Sequence, residues 1–123
     1  MAEIEVRVRP PHSLILVGDP HGRVPERIDG NLTRATSTCV AIGTLSDLDG
    51  ETTVRVTDSL RSTAEGAQQL AFEGDVELAS NVLRIGNVLG EVYLDWPVSA
   101  DSVSLQVWVN HPSEPDEIWI VTR

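Results

Sequence analysis

Period-two alternation of apolar and polar residues, broken every few positions by Gly, Pro or Asp-Gly, constrains this chain more than any other feature. Side chains alternate faces along a strand, so this pattern turns one face to a core and the other to solvent. Ile4, Val6 and Val8 share one face of the first segment, with Glu3, Glu5, Arg7 and Arg9 on the other, until Pro10-Pro11 ends it. Ser13 to Val17 is an apolar run too short for a helix and reads as a buried strand. Gly18 to Leu32, with Pro20, Gly22, Pro25 and Gly30, reads as a long irregular loop. Thr36 to Leu45 and Glu51 to Thr57 read as a hairpin closed by Asp49-Gly50, a favoured tight-turn pair. Asp58 to Ala67 is the one stretch with helical spacing, and Gly66 limits it to a turn or two.

Further strands are expected at Gln69 to Glu73, around Val76 and Leu78, and at Val82 to Ile85 before a Gly86-Asn87 turn. Glu91 to Trp96, Ser102 to Asn110 and Glu117 to Thr122 complete the series. Eight or nine short strands with at most one short helix give an all-β chain. The expected architecture is an antiparallel β-sandwich forming a single domain over residues 1–123.

Charge sets the class of partner. Nineteen acidic residues face nine Arg and no Lys, for a formal net charge of -10. That excess repels nucleic-acid phosphates and anionic lipid and attracts basic surfaces. No stretch combines clustered Arg with aromatic residues, so nucleic-acid binding is excluded. The apolar run Leu14 to Val17 is far short of a membrane span. A single Cys, Cys39, precludes an internal disulfide and fits a reducing compartment, and Met1 to Pro11 lacks the apolar core of a signal peptide. The expectation is a cytoplasmic protein in which Cys39 is a small buried hydrophobe.

No motif assigns a reaction. Asp47-Leu48-Asp49-Gly50-Glu51 resembles a calcium loop, but Thr52 stands where that loop needs Gly and Asp58 where it needs a bidentate Glu. It reads instead as a charged hairpin tip. His12, His21 and His111 lack ligand spacing, so no metal and no cofactor is expected. Glu73, Asp75 and Glu77 alternate with Gly74 and Val76 and should share one sheet face. Like charges there guard a strand edge and gain from a basic partner. Trp108 and Trp119 lie opposite the aliphatic stripes of their strands and meet if those strands pair through the His111 to Asp116 turn. A covered position is preferred to an exposed aromatic patch.

Three stretches carry a family resemblance: STCVAIGTLSDLDGETTVRV at Ser37 to Val56, DVELAS at Asp75 to Ser80, and LQVWVN at Leu105 to Asn110 followed by PDEIWI at Pro115 to Ile120. Together they resemble the competence protein J family. The resemblance implies a small bacterial inhibitor of the DNA-entry nuclease. In that family the segment before the first hairpin is aromatic-rich and carries a His, whereas Val24 to Thr36 here has Arg27, Ile28 and Asp29 and no aromatic.

These features converge on a non-enzymatic, acidic protein-binding module, an inhibitor or immunity-type protein covering a basic site on a nuclease or toxin. Its carboxylates would stand in for phosphates. The candidate partner-binding residues are Asp47, Asp49 and Glu51 at the expected hairpin tip, Asp19, Glu26 and Asp29 in the long loop, and Glu73, Asp75 and Glu77. Two other classes stay open. One is a small ligand-binding or enzymatic β-domain using the 18–31 loop, with Asp19 and His21 as its polar groups. The other is a self-associating structural subunit, since the sequence leaves the oligomeric state open.

Overall fold

An apolar stripe on a sheet is stable only when a second stripe covers it, and here two sheets cover each other. The computed structural model describes residues 3–25, 32–58 and 69–123, and within them ten strands form two five-stranded sheets. In spatial order the first sheet contains β1 (Glu3–Val8), β5 (Thr52–Thr57), β10 (Glu117–Thr122), β9 (Ser102–Val109) and β6 (Gln69–Glu77). The second contains β3 (Thr33–Ala35), β4 (Cys39–Gly43), β2 (Leu14–Gly18), β7 (Val82–Gly86) and β8 (Val92–Pro97). A single 3-10 turn at Pro11–Ser13 carries the chain from β1 to β2. Every recorded strand pair is antiparallel except β5 with β10, which runs parallel.

The core is the space between the sheets. Val54, Val56, Ile118, Ile120, Leu105 and Val107 meet it from the first sheet, and Ile15, Val17, Val40, Ile42, Leu83 and Ile85 from the second. All of these are buried, which accounts for the alternation of the flanking positions with polar residues. Among the described residues no helix is long and apolar enough to cross a membrane.

The sandwich is the one the alternation implies, but its connections differ. The segments 36–45 and 51–57 do not form a hairpin. β4 pairs with β2 and β3 in one sheet while β5 pairs with β1 and β10 in the other. Asp49-Gly50 therefore lies on a crossing between sheets rather than in a tight hairpin turn, and Gly50 has a positive φ of +151 that favours glycine. Of the expected strand 36–45 only Cys39–Gly43 is strand, as β4, and it pairs across 36–38 with β3, which precedes that range. The two short strands expected at 69–73 and 76–78 are one strand, β6, with a register shift between Leu70 and Phe72. The loop after β2 has no regular element through Pro25. The helical turn expected over 58–67 lies, beyond Asp58, outside the described residues.

Ile120 sits in a central strand between Val56 and Val107 and has no exposed surface. Ile120→Ala is expected to cost about 2–5 kcal/mol of stability in urea unfolding. A loss below 1 kcal/mol, the scale of a surface substitution, would contradict this placement of the core.

Candidate protein-binding surface

Three connections meet at one end of the sandwich: the 44–51 crossing, the β7–β8 turn at 87–91 and the β9–β10 turn at 110–116. Backbone hydrogen bonds hold two of them together. Leu45 N–H donates to the Pro115 carbonyl at 2.9 Å and Thr53 N–H to the Asp116 carbonyl at 2.8 Å. The third, at 87–91, lies near enough to the crossing for the charge of Asp47 to act on Tyr93. Its phenol is held above its ordinary pKa chiefly by burial, against the lowering effect of a hydrogen bond from Asn87, and the nearby charges of Glu91 and Asp47 add to the rise. The result is an acidic end bearing Asp47, Asp49, Glu51, Glu91, Glu114 and Asp116. Among the described residues no Arg pairs with any of these carboxylates. Arg9 does reach this end, but its Nη1 donates to the backbone oxygen of Asp47 at 3.0 Å.

The β7–β8 turn is organised by one buried side chain. Asn87 Oδ1 accepts from Leu89 N–H at 2.9 Å and Glu91 N–H at 3.1 Å, and its Nδ2 donates to Glu91 Oε1 at 3.2 Å and Tyr93 Oη at 3.0 Å. A fully satisfied buried amide of this kind fixes a turn in one shape. Leu89 is left 72% exposed at its tip, and Leu48 on the neighbouring crossing is 89% exposed.

A groove runs along the outer face of the second sheet from this end. Its volume is about 180 Å³, with Leu16, Gly18, Cys39 and Gly86 on the sheet side. Pro20 and Val24 flank it on one side and Glu91 and Val92 on the other. The glycines are required by close backbones: a Cβ on Gly18 would collide with the Thr38 carbonyl oxygen, and one on Gly86 with that of Glu91. Cys39 is buried, as expected, and burial pushes its thiol up to about 11, so it is not a reactive nucleophile. Arg84 donates twice to Asp95, at 2.8 and 3.1 Å, which holds the Asp95 carboxyl below its usual range.

Asp19 stands at the opposite end of this groove, away from the acidic crossing. Its partial burial raises its pKa, but hydrogen bonds from the Ser80 and His21 backbone N–H groups and the Ser80 hydroxyl outweigh that and leave it lowered. It thus ties the β2 exit to the β6–β7 link, and His21 meets it with a backbone N–H hydrogen bond and, more weakly, with its charge. Glu26 and Asp29 lie outside the described residues. Among those residues no group of three His, Cys, Asp or Glu could hold a metal ion.

Glu73, Asp75 and Glu77 do share the outer face of β6, an edge strand of the first sheet. Gln106 Nε2 donates to Glu73 and Ser104 Oγ to Asp75, both at 2.6 Å, and Trp108 Nε1 donates to Gln106 Oε1 at 3.1 Å. Trp108 and Trp119 are direct cross-strand partners on this face. Trp119 is buried beneath Arg55, whose guanidinium lies 5.3 Å from the ring centroid, while Trp108 is half-buried. Arg55 also donates to Glu5 at 2.8 Å and Glu117 at 3.5 Å, and Arg7 lies 3.8 Å from Glu5, so two cations meet two carboxylates on this face.

The candidate carboxylates therefore occupy three places rather than one. Glu91, Glu114 and Asp116 join the 47–51 group only in the folded chain. Their sequence signal was the presence of acids in turns, which becomes informative once the turns are known to share an end.

No family model matches this sequence, and no curated protein matches it. A solved structure does match the fold. The crystal structure of ComJ from Bacillus subtilis, an inhibitor of the DNA degrading activity of NucA, is similar over 97% of this chain and 93% of that chain, with a TM-score of 0.70 and 11% sequence identity. The fold is similar to that of ComJ. It agrees with the family resemblance read from the strand and turn patterns, and covers nearly the whole of both chains.

A carboxyl lowered by folding stabilises above its ordinary pKa, and that contribution is lost as the pH falls through the lowered value. Asp19→Asn should therefore lower the urea midpoint at pH 7, with the gap to the unaltered protein narrowing below about pH 4. An equal gap at pH 7 and pH 3 would show that the charge of Asp19 does not contribute.

Proposed function

We propose that this protein is a non-enzymatic inhibitor that binds a nuclease and covers the basic site at which the nuclease meets DNA. The observation that carries the reading is the likeness in fold, over nearly the full length, to an inhibitor of a DNA-degrading activity. The acidic end supplies the chemistry. Carboxylates without a cation of their own take the place of DNA phosphates against Arg and Lys, and charge-assisted hydrogen bonds to them are stronger than neutral ones. A formal charge of -10 draws a basic partner in from a distance, which speeds association. Occlusion of the nucleic-acid site is sufficient for inhibition, so no reaction is required of this chain.

Asp47, Asp49 and Glu51 form the first choice of contact surface, extended by Glu91, Glu114 and Asp116, with Glu73, Asp75 and Glu77 second. Side-chain hydrogen bonds engage Glu73 and Asp75 as they do Glu91 and Asp116, so the acids of β6 rank lower only for lying apart from the six gathered at the acidic end.

The test is capture on the immobilised protein from a lysate of the source organism at low salt, followed by a DNA-degradation assay of the captured fraction. A nuclease that is inhibited at about 50 mM salt and released toward 500 mM, where the Debye length shrinks severalfold, is the expected result. Asp47→Ala, Asp49→Ala and Glu51→Ala combined should slow association by about tenfold or more. A captured fraction that degrades no DNA, or a nuclease that works equally well with and without this protein, would contradict the reading.

A further inference from the structure

Charge brings a partner close, but it does not fix where the partner seats. The exposed apolar residues do. Leu48, Leu89 and Val92 are 89%, 72% and 44% exposed. Scattered exposed apolar residues are ordinary on a protein surface. These three share the acidic end, and Val92 also lines the adjoining groove on the second sheet.

We propose that the partner docks where the acidic end meets this groove. It places one apolar side chain in the groove beside Leu16 and Val92, packs on Leu89 and Leu48, and sets flanking Arg or Lys against Asp47, Asp49 and Glu91. The identity of that partner as a nuclease rests on the reading above.

Four observations carry this. The groove, at about 180 Å³, lies below the roughly 300–1,000 Å³ of small-molecule pockets and suits a single side chain. Around Gly18 and Gly86 the carbonyls of Thr38 and Glu91 fill the space a Cβ would need, so this part of the groove is tightly packed backbone that does not have to rearrange. The turn bearing Leu89 is pre-formed by the four hydrogen bonds of Asn87, which reduces the ordering cost of binding. Finally, Arg84, which lines the groove, is already held by Asp95, so it does not neutralise Glu91 on the rim, whose carboxylate takes only an amide hydrogen bond from Asn87. An apolar centre with a charged rim is the usual anatomy of a specific protein interface.

The experiment is a titration of the ¹⁵N-labelled full chain with the blocked peptide Arg-Leu-Arg, read by NMR, with Arg-Ser-Arg and Glu-Leu-Glu as controls. Arg-Leu-Arg is expected to shift the amides of Gly18, Gly86, Leu89 and Leu48, and the double variant L48S/L89S to weaken it by about tenfold. Both positions are exposed, so the variant keeps the fold. Shifts confined to Glu73–Glu77, equal shifts from Arg-Ser-Arg, or no shift would overturn the inference. The inhibitor reading fails separately, when the peptide seats in the groove and no nuclease is inhibited. A nuclease inhibited as strongly by L48S/L89S as by the unaltered protein overturns the docking site and leaves the inhibitor reading standing.

Discussion

The first sheet is completed by a strand that arrives last. β10 enters between β5 and β9, parallel to one and antiparallel to the other, and its Ile118, Ile120 and Val121 lose all their exposed surface. That insertion joins the early and late parts of the chain through a single ladder. It also determines what stands at the end of the sandwich. With Glu117 opposite Thr53, the 110–116 turn must lie against the 44–51 crossing, and two backbone hydrogen bonds close the contact. The gathering of acids at this end is thus a consequence of strand order.

Such an arrangement has a cost in the free protein. Exposed like charges repel, although water and salt reduce each pair to a small term. Two places on the sheets set carboxylates against guanidinium groups: Arg55 and Arg7 with Glu5 and Glu117 near Trp119, and Arg84 with Asp95. Among the described residues the acidic end has no such pair, and neither do the acids of β6. Arg9 turns to a backbone oxygen, and the tips of the crossing and of the β7–β8 turn expose leucines that a core would take. Exposed leucines among acids that lack a cation are the local departure on which the proposed binding surface rests.

Much of the fold was legible because alternation is a direct record of which face is buried. The β9 stripe of Val103, Leu105, Val107 and Val109 and its pairing with β10 through the His111 turn follow from the sequence, as does the meeting of Trp108 and Trp119. Sheet membership was less accessible. Asp49-Gly50 between two apolar runs imitates a hairpin, yet Cys39, Val40, Ala41 and Ile42 do not alternate and are buried on both faces of β4. An unbroken apolar run marks an inner strand with its own neighbours. A link of eight residues, 44–51, also exceeds the two to five of usual hairpin loops. Of the acidic end only the 47–51 group was legible, because Glu91 and Glu114 are far from it in the chain and only topology unites them. The groove was hidden for a similar reason: the carbonyls of Thr38 and Glu91 that close on its glycines come from other strands or turns.

The central claim is that this end of the sandwich is where a partner binds. Hydrogen exchange, measured on the protein alone and in complex with the nuclease it captures, tests that most directly. New protection over residues 45–51 and 87–92, with the β6 edge at 69–77 unchanged, is the expected result. Protection confined to that edge or to the outer face around Trp108 would contradict the account and move the binding surface to the first sheet.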